Sequence, residues 1–171
     1  SAQGGQAGPQ DFRGAKRVVL WFSKGLFCPF CRRNMAQLGL RYPEIQALDA
    51  EVLQVTHNTL DEARGYLKHY PMKFPYLCDA ERVAHDQYRV EQLGFNLGGN
   101  AASVAAVVVD LVTKGEKTPP PIPYFKRYAG KDSAQAVFVL DREGVVRAEH
   151  RLGPNAPLPS ASDLISALQK L

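Results

Sequence analysis

The sequence has few cysteines and no long apolar stretch. Its 171 residues include three cysteines, an odd count, and nothing near the start resembles the apolar centre of a secretory signal. A small secreted protein built on several disulfides is therefore not expected. We expect a reducing, cytoplasmic location instead. No stretch reaches the ~20 consecutive apolar residues that cross a bilayer, so no membrane segment is expected.

The sequence also lacks internal repeats and a continuous basic stripe. Its net charge is +4, but the basic residues are scattered among acidic ones, so we expect no nucleic-acid partner. The apolar fraction of 45% is enough for one core in a chain of this length,. We expect a flexible N-terminal segment over residues 1–10, which are small and polar, and a single domain over 11–171.

Strand and helix patterns alternate through the first half of the chain. Residues 17–22 are apolar and β-branched or aromatic, which predicts a strand buried on both faces. A helical pattern follows over 29–48, and a second strand is predicted over 51–56. Thr59 and Glu62 have the spacing of a capping box and predict the start of another helix. This alternation predicts an α/β fold with a central mixed sheet flanked by helices.

The second half contains an insertion and then a hairpin. Residues 94–132 interrupt the alternation with an apolar helical pattern at 101–112 and a proline-rich stretch. The 101–112 helix is expected to pack on its own domain, or else to form a homodimer contact or a lid. Residues 136–149 predict an antiparallel hairpin, and a last helix is predicted to begin at Ser160 or Ser162.

The pair Cys28 and Cys31 in the sequence FCPFC could hold a metal, form a structural disulfide or exchange electrons. A structural zinc site usually needs two such pairs, or one pair and two close histidines, and neither accompanies this pair; no metal is expected. A structural disulfide here would close a loop too short to restrict the unfolded chain much. Electron exchange fits best, because this spacing in a first helical turn brings two cysteines to the separation that a disulfide requires.

The predicted position of the pair also favours reactivity. At a helix N-terminus, unpaired amides and the positive end of the helix dipole favour the Cys28 thiolate, and Arg32 and Arg33 add positive charge. Cys31 then lies one turn further on, where it can attack an adduct formed on Cys28. Cys78 lies alone in an apolar, strand-like segment and is interpreted as a buried packing residue, not as a third redox partner.

Three stretches resemble the alkyl hydroperoxide reductase and thiol-specific antioxidant (AhpC/TSA) family, in its peroxiredoxin-like branch: VVLWFSKGLFCPFCRRNMAQL, FPYLCDAERVAHDQY and AVFVLDREGVVRAEH. The resemblance implies a thioredoxin-like fold with a helical and proline-rich insertion before the C-terminal hairpin. It implies that Cys28 is the peroxidatic cysteine, that Cys31 is the resolving cysteine, and that the substrate is a hydroperoxide. A thioredoxin-like protein or a low-molecular-weight thiol would be the reductant, and no cofactor is implied.

Three positions depart from this family's pattern. Phe22 stands where the family has proline. Gly25 stands where the family has threonine or serine, and Gln135 stands where it has arginine or where thioredoxins have a cis-proline. The missing hydroxyl and guanidinium would hold the peroxide oxygens in line with the thiolate. We consider Arg32, and also Arg147 and Arg151, as candidate replacements for the arginine.

Two aromatic residues, Trp21 and Phe27, flank the cysteine pair and are expected to pack against it.

Three functions follow from these observations. The first is a thiol-dependent peroxidase, and the second is a protein-disulfide oxidoreductase that uses the same cysteines. The third is a non-enzymatic redox-sensing or partner-binding module whose working surface is the 101–112 helix.

Overall fold

The computed structural model describes residues 1–26, 28–93, 132–152 and 158–171. Its helices are α1 (Pro29–Gln46), α2 (Leu60–Leu67), α3 (Val83–Gln87) and α4 (Ala161–Gln169), with a 3-10 helix over Pro9–Phe12. Its strands are β1 (Arg17–Phe22), β2 (Ala50–Thr56), β3 (Tyr76–Cys78), β4 (Gln92–Leu93), β5 (Asp132–Ser133), β6 (Gln135–Leu140) and β7 (Val146–Leu152). The predicted insertion, including the 101–112 helix and the proline-rich stretch, falls almost entirely outside the described residues.

A mixed five-stranded sheet in the order β3-β2-β1-β6-β7 forms the centre of the fold. Strand β1 is parallel to β2 and antiparallel to β6, and β6 and β7 form the predicted antiparallel hairpin. Strands β4 and β5 form a separate pair. Residues of β1 from Val18 to Phe22 are all buried, which confirms the prediction of a strand covered on both faces,.

The two faces of the sheet carry two apolar clusters because side chains alternate along each strand. Val19 and Trp21 point to the face that α1 and α4 cover, together with residues Met35, Leu38, Ile45, Leu164 and Leu168. Val18, Leu20 and Phe22 point to the other face, where they pack with residues Phe138, Val90, Ala84 and Tyr88. The cysteine pair lies in the first cluster.

Two of the helix starts have the predicted caps. Thr59 accepts a hydrogen bond from the backbone of Glu62, which completes the capping box of α2,. At α4 the capping residue is Ser160, whose hydroxyl accepts from the Asp163 backbone. The helix boundaries differ by a few residues from the sequence patterns, since α1 ends at Gln46, two residues before the predicted end at 48,.

The first residues of the chain contact the edge of the sheet. The backbone of Ala2 donates to the carbonyl of Tyr76 at 2.8 Å. The side-chain amide of Gln3 donates to the Phe74 carbonyl at 2.9 Å and accepts from the Tyr76 backbone at 3.1 Å. These bonds satisfy part of the outer edge of β3. The flexibility predicted for residues 1–10 stays a prediction, but these three contacts oppose it.

A buried carboxylate and histidine link β3 to α3. His85 is fully buried, and its Nδ1 lies 2.6 Å from Asp79 Oδ2. Burial lowers the pKa of His85 despite the opposing effect of Asp79, so the ring is neutral at pH 7 and donates from Nδ1,. Burial alone would raise the pKa of Asp79, but hydrogen bonds from His85 and Ala84 outweigh it and lower that pKa.

This pair predicts a loss of stability in acid. The unfolded chain binds a proton on His85 below about pH 6.5, whereas the folded protein resists protonation there, so the free energy of unfolding falls as the pH drops below that value. We expect His85→Gln to lose less stability between pH 7 and pH 5 than the unsubstituted protein. Urea unfolding at both pH values measures this; equal losses in the two proteins would contradict it.

Candidate active site

Cys28 lies at the N-cap of α1, at the carboxyl end of the central strand β1. Its backbone is extended (φ −82°, ψ 112°), and Pro29 follows at the first helical position, where a missing N–H costs nothing,. The sulfur takes the role of a capping oxygen, because Cys28 Sγ accepts from the backbone N–H of Cys31 at 3.2 Å,. The side chain is 6% exposed. This position at the positive end of a helix favours a thiolate over a thiol.

Cys31 lies in the first turn of α1 and contacts Cys28. The two sulfurs are 2.7 Å apart, and neither cysteine is in a disulfide bond. Burial raises the pKa of the Cys31 thiol well above its ordinary value, the contact with Cys28 acts in the same direction, and Lys24 opposes both. Cys31 is therefore the protonated partner, and its S–H can donate to Cys28. The structure thus brings together the two cysteines that the sequence singled out.

Gln135 contacts the second sulfur of the pair. Its Oε1 lies 3.2 Å from Cys31 Sγ, and the side chain is buried. Strand β6 runs antiparallel to β1 and pairs Ala136 with Phe22, so its first residue, Gln135, reaches the edge of the sheet where the cysteines lie. The described residues contain no cis peptide bond. The amide oxygen of Gln135 thus contacts the Cys31 thiol, at a position where the family pattern has arginine.

The three candidate arginines have different surroundings. Arg32 is buried, and burial lowers its pKa, while its interactions with two tyrosines and with both Cys28 and Cys31 raise it. Arg147 pairs with Asp141 at 2.6 Å, at the opposite end of the sheet. Among the three, the electrostatic influence of Arg32 is the one that acts on the sulfurs.

Arg151 lies at the correct end of the sheet but is held on its other face. Its guanidinium donates to the carbonyl of Arg89 at 2.6 Å and to that of Tyr88 at 3.0 Å, and it lies over the ring of Phe138. That face belongs to the apolar cluster opposite the cysteines. These contacts direct Arg151 away from the pair.

Gly25 has a conformation and surroundings that exclude a side chain. Its φ is +89°, and a Cβ built there would lie 2.5 Å from Asn58 Oδ1. Threonine or serine, which the resemblance expects here, would be strained and would collide with that oxygen. Trp21 is 2% exposed and belongs to the same apolar cluster as Cys28 and Cys31. Phe27 lies outside the described residues.

Sequence reasoning missed two buried polar residues at this site. Lys24 is 7% exposed, and a hydrogen bond from its backbone, together with its charge, opposes the burial that raises the pKa of Cys31. Asn58 is fully buried and accepts a hydrogen bond from the Leu26 backbone at 3.1 Å. The available signal was position: Asn58 follows β2, the parallel neighbour of β1, and the carboxyl ends of adjacent parallel strands share one edge of a sheet.

The remaining cysteine and possible metal ligands lie apart from this pair. Cys78 is half-buried on β3, contacts the Thr59 carbonyl at 3.8 Å, and has a pKa raised by burial. Within the four described ranges, no group of three histidine, cysteine or acidic residues is arranged to hold a metal ion. Among the same residues, no helix has the length and apolar character needed to span a membrane.

Solved structures share this architecture. The chain aligns with Xanthomonas campestris peroxiredoxin Q (TM-score 0.70, 17% identity, 99% of this chain and 87% of that chain). It aligns with Xanthomonas campestris bacterioferritin comigratory protein (TM-score 0.69, 16% identity, 99% and 87%). It also aligns with Mycobacterium tuberculosis peroxidoxin BcpB (TM-score 0.63, 15% identity, 94% and 83%). At these identities the likeness establishes the fold, and it confirms the predicted thioredoxin-like α/β class.

Sequence comparison extends this result from fold to family. Curated protein sequences give no match. The profile of the AhpC/TSA family, in contrast, matches residues 1–149, which is most of the chain and includes both Cys28 and Cys31. The protein therefore belongs to the AhpC/TSA family and is a peroxiredoxin-like, thiol-dependent oxidoreductase.

Proposed function

We propose that Cys28 is the peroxidatic cysteine and that Cys31 resolves its oxidised form. In the first step the Cys28 thiolate attacks the terminal oxygen of a hydroperoxide. The O–O bond breaks, the sulfur becomes a sulfenic acid, and the leaving alkoxide takes a proton and departs as an alcohol, or as water when the substrate is hydrogen peroxide.

In the second step the Cys31 sulfur attacks Cys28. The S–O bond of the sulfenic acid breaks, an S–S bond forms, and the hydroxyl leaves as water after taking the Cys31 proton. The raised pKa of Cys31 keeps this thiol protonated in the resting protein. Because Cys31 is protonated, the Cys28 thiolate is not repelled by a second thiolate at contact distance.

In the third step two external thiols, or one dithiol, reduce the Cys28–Cys31 disulfide and are themselves oxidised to a disulfide. A thioredoxin-like protein or a low-molecular-weight thiol supplies them. The peroxide substrate and a thiol reductant are what the family implies. No metal or organic cofactor takes part in any of the three steps.

One observation supports this proposal most: Cys28 caps α1 with its sulfur 2.7 Å from that of Cys31. Formation of a disulfide requires the sulfurs to approach to about 2.05 Å. The approach is small, so resolution needs no unwinding of α1. Arg32, the buried cation whose electrostatic interaction includes Cys28, supplies positive charge for the developing oxyanion,.

Replacing Cys31 separates the two chemical steps. In Cys31→Ser we expect hydrogen peroxide to oxidise Cys28 at a rate within about threefold of the unsubstituted protein, because the attacking thiolate and its cap remain. The sulfenic acid should then persist, since no resolving thiol is present. Stopped-flow measurement of Trp21 emission follows the first step, and mass spectrometry after dimedone trapping identifies the product.

Cys78→Ser is the matched control for this experiment. It also removes one thiol, but it should form the Cys28–Cys31 disulfide as the unsubstituted protein does. A dimedone adduct on Cys31 in the Cys78→Ser protein would overturn the assigned roles. So would an intramolecular disulfide that still forms in Cys31→Ser and is lost in Cys78→Ser.

A protein-disulfide oxidoreductase is the second candidate. The surroundings of the pair favour it in one respect: Phe30, between the two cysteines, is 44% exposed and offers an apolar contact beside Cys28. Gly25 also supplies no hydroxyl for a peroxide. Reduction of insulin disulfides with dithiothreitol as the electron source, together with no change in Trp21 emission on peroxide addition, would favour this candidate over the peroxidase.

Two further predictions concern the protein as a whole. A homodimer formed through the 101–112 helix involves residues outside the described ranges, and it stays a prediction that size-exclusion chromatography with light scattering can test. The cytoplasmic location also stays a prediction. The non-enzymatic alternative is disfavoured by membership of an enzyme family.

A further inference from the structure

A buried asparagine joins three parts of the chain near the cysteine pair. Asn58 is fully buried directly after β2. Its Oδ1 accepts from the backbone N–H of Leu26 at 3.1 Å and from the hydroxyl of Tyr76 at 2.8 Å. Its Nδ2 donates to Glu62 Oε2 at 3.3 Å. One side-chain amide thus links the segment after β1 to β3 and to α2.

The peptide group between Gly25 and Leu26 carries this link to Cys28. Its N–H donates to Asn58, and its carbonyl oxygen, on Gly25, accepts from the backbone N–H of Cys28 at 3.2 Å. A peptide group is planar, so fixing the direction of the N–H also fixes the direction of the carbonyl. Asn58 therefore sets the orientation of the acceptor that holds the Cys28 backbone.

The carboxylate of Glu62 fixes the Asn58 amide itself. Glu62 Oε2 accepts from Asn58 Nδ2 and also from the Thr59 backbone at 3.0 Å, so the capping box of α2 holds the amide group in place. This arrangement needs an acceptor and a donor on one short side chain. Aspartate would place a second carboxylate against Glu62, and like charges repel at this separation.

We propose that Asn58 is a positioning residue for Cys28. By orienting the Gly25–Leu26 peptide it holds Cys28 at the N-cap of α1, where the sulfur is available as a thiolate. The hydrogen bonds of Asn58 to Leu26, Tyr76 and Glu62 involve neither sulfur, and its effect on Cys28 passes through the backbone. The proposal rests on Cys28 being the reactive cysteine of the proposed function, and it adds the group that places it.

The test is the pH dependence of Cys28 alkylation in Asn58→Ala. In this variant the Leu26 N–H loses the Asn58 oxygen as its acceptor. Because Leu26 is only 1% exposed, water does not readily replace that acceptor, and the Gly25–Leu26 peptide is expected to turn,. We expect the alkylation midpoint to rise by about one pH unit and the rate at pH 7 to fall about tenfold. Iodoacetamide pulses at several pH values, followed by tandem mass spectrometry, report on Cys28 separately from Cys31.

Tyr42→Phe is the matched control for a general loss of stability. The Tyr42 hydroxyl donates to the carboxylate of Glu51 in a buried contact at the opposite end of the sheet. Its removal should destabilise the protein while leaving the Cys28 midpoint unchanged. A folded Asn58→Ala that alkylates with the midpoint of the unsubstituted protein, or an equal shift in Tyr42→Phe, would overturn the proposal.

A measurement on the unsubstituted protein covers the case in which Asn58→Ala fails to fold. Hydrogen exchange followed by NMR should show the Leu26 amide protected at least 100-fold relative to an unstructured chain, and unprotected exchange would overturn the proposal. Alkylation does not involve peroxide. If peroxide failed to oxidise Cys28 while Asn58→Ala still shifted the alkylation midpoint, the proposed function would fail and the positioning role would stand.

Discussion

Cys28→Ser should abolish peroxide-dependent turnover. A serine hydroxyl is not ionised near neutral pH and cannot form a sulfenic acid, so neither the first step nor the resolving disulfide is possible. We expect kcat/KM for hydrogen peroxide to fall by at least ~1000-fold, equivalent to a rise of about 4 kcal/mol in the activation barrier. A coupled assay of peroxide consumption with dithiothreitol as reductant measures it.

The fold should survive this change, which makes the result interpretable. Serine is among the preferred N-cap residues, so its oxygen can accept from the Cys31 backbone as the Cys28 sulfur does,. The free energy of unfolding in urea should therefore change by less than about 1 kcal/mol. Cys78→Ser should retain full activity. Peroxide turnover above a tenth of the original in Cys28→Ser would assign the chemistry to another residue.

Gly25→Ala should destabilise the protein by about 3 kcal/mol. A left-handed backbone costs a residue with a Cβ roughly 1–2 kcal/mol. The new Cβ would also lie 2.5 Å from Asn58 Oδ1. To make room, Asn58 must move from its hydrogen bonds with Leu26 and Tyr76, each worth about 1 kcal/mol. Urea unfolding followed by circular dichroism measures the total.

Two other glycines separate the contributions to this loss. Gly144 has φ +80° and only Arg13 Cδ at 4.0 Å from a built Cβ, so Gly144→Ala introduces strain without a collision. Gly39 lies inside α1 with nothing within 4 Å, so Gly39→Ala should stabilise the protein by roughly 0.5–1 kcal/mol,. A cost at Gly25 no greater than that at Gly144 would show that contact with Asn58 contributes nothing.

Gly25→Ala should also reduce the reactivity of Cys28, since the displaced Asn58 no longer orients the peptide that holds the Cys28 backbone. The two glycine controls lie away from this segment and should leave the rate of Cys28 alkylation unchanged. The loss of stability and the loss of Cys28 reactivity have one origin, which is the close approach of Gly25 to Asn58.

The sequence alone determined the central strand and the helix behind the cysteines, and it predicted redox chemistry for the pair. These features depend on interactions between near neighbours: apolar residues of β1 that suit both faces of a sheet, helical spacing along α1, and two cysteines separated by one turn. The resemblance to the AhpC/TSA family was also carried by continuous stretches, and the family match confirmed it.

The tertiary structure decided which distant residues meet the pair. Gln135 is 104 residues from Cys31 in the sequence, and Asn58 is 32 residues from Leu26. Their contacts depend on strand order, because β6 and β2 flank β1 and bring both side chains to its carboxyl end. No local pattern encodes that order. Tertiary structure also excluded two of the candidate arginines. The register of β7 places Arg147 at the far end of the sheet. Arg151 is held on the sheet face opposite the cysteines by its contacts there.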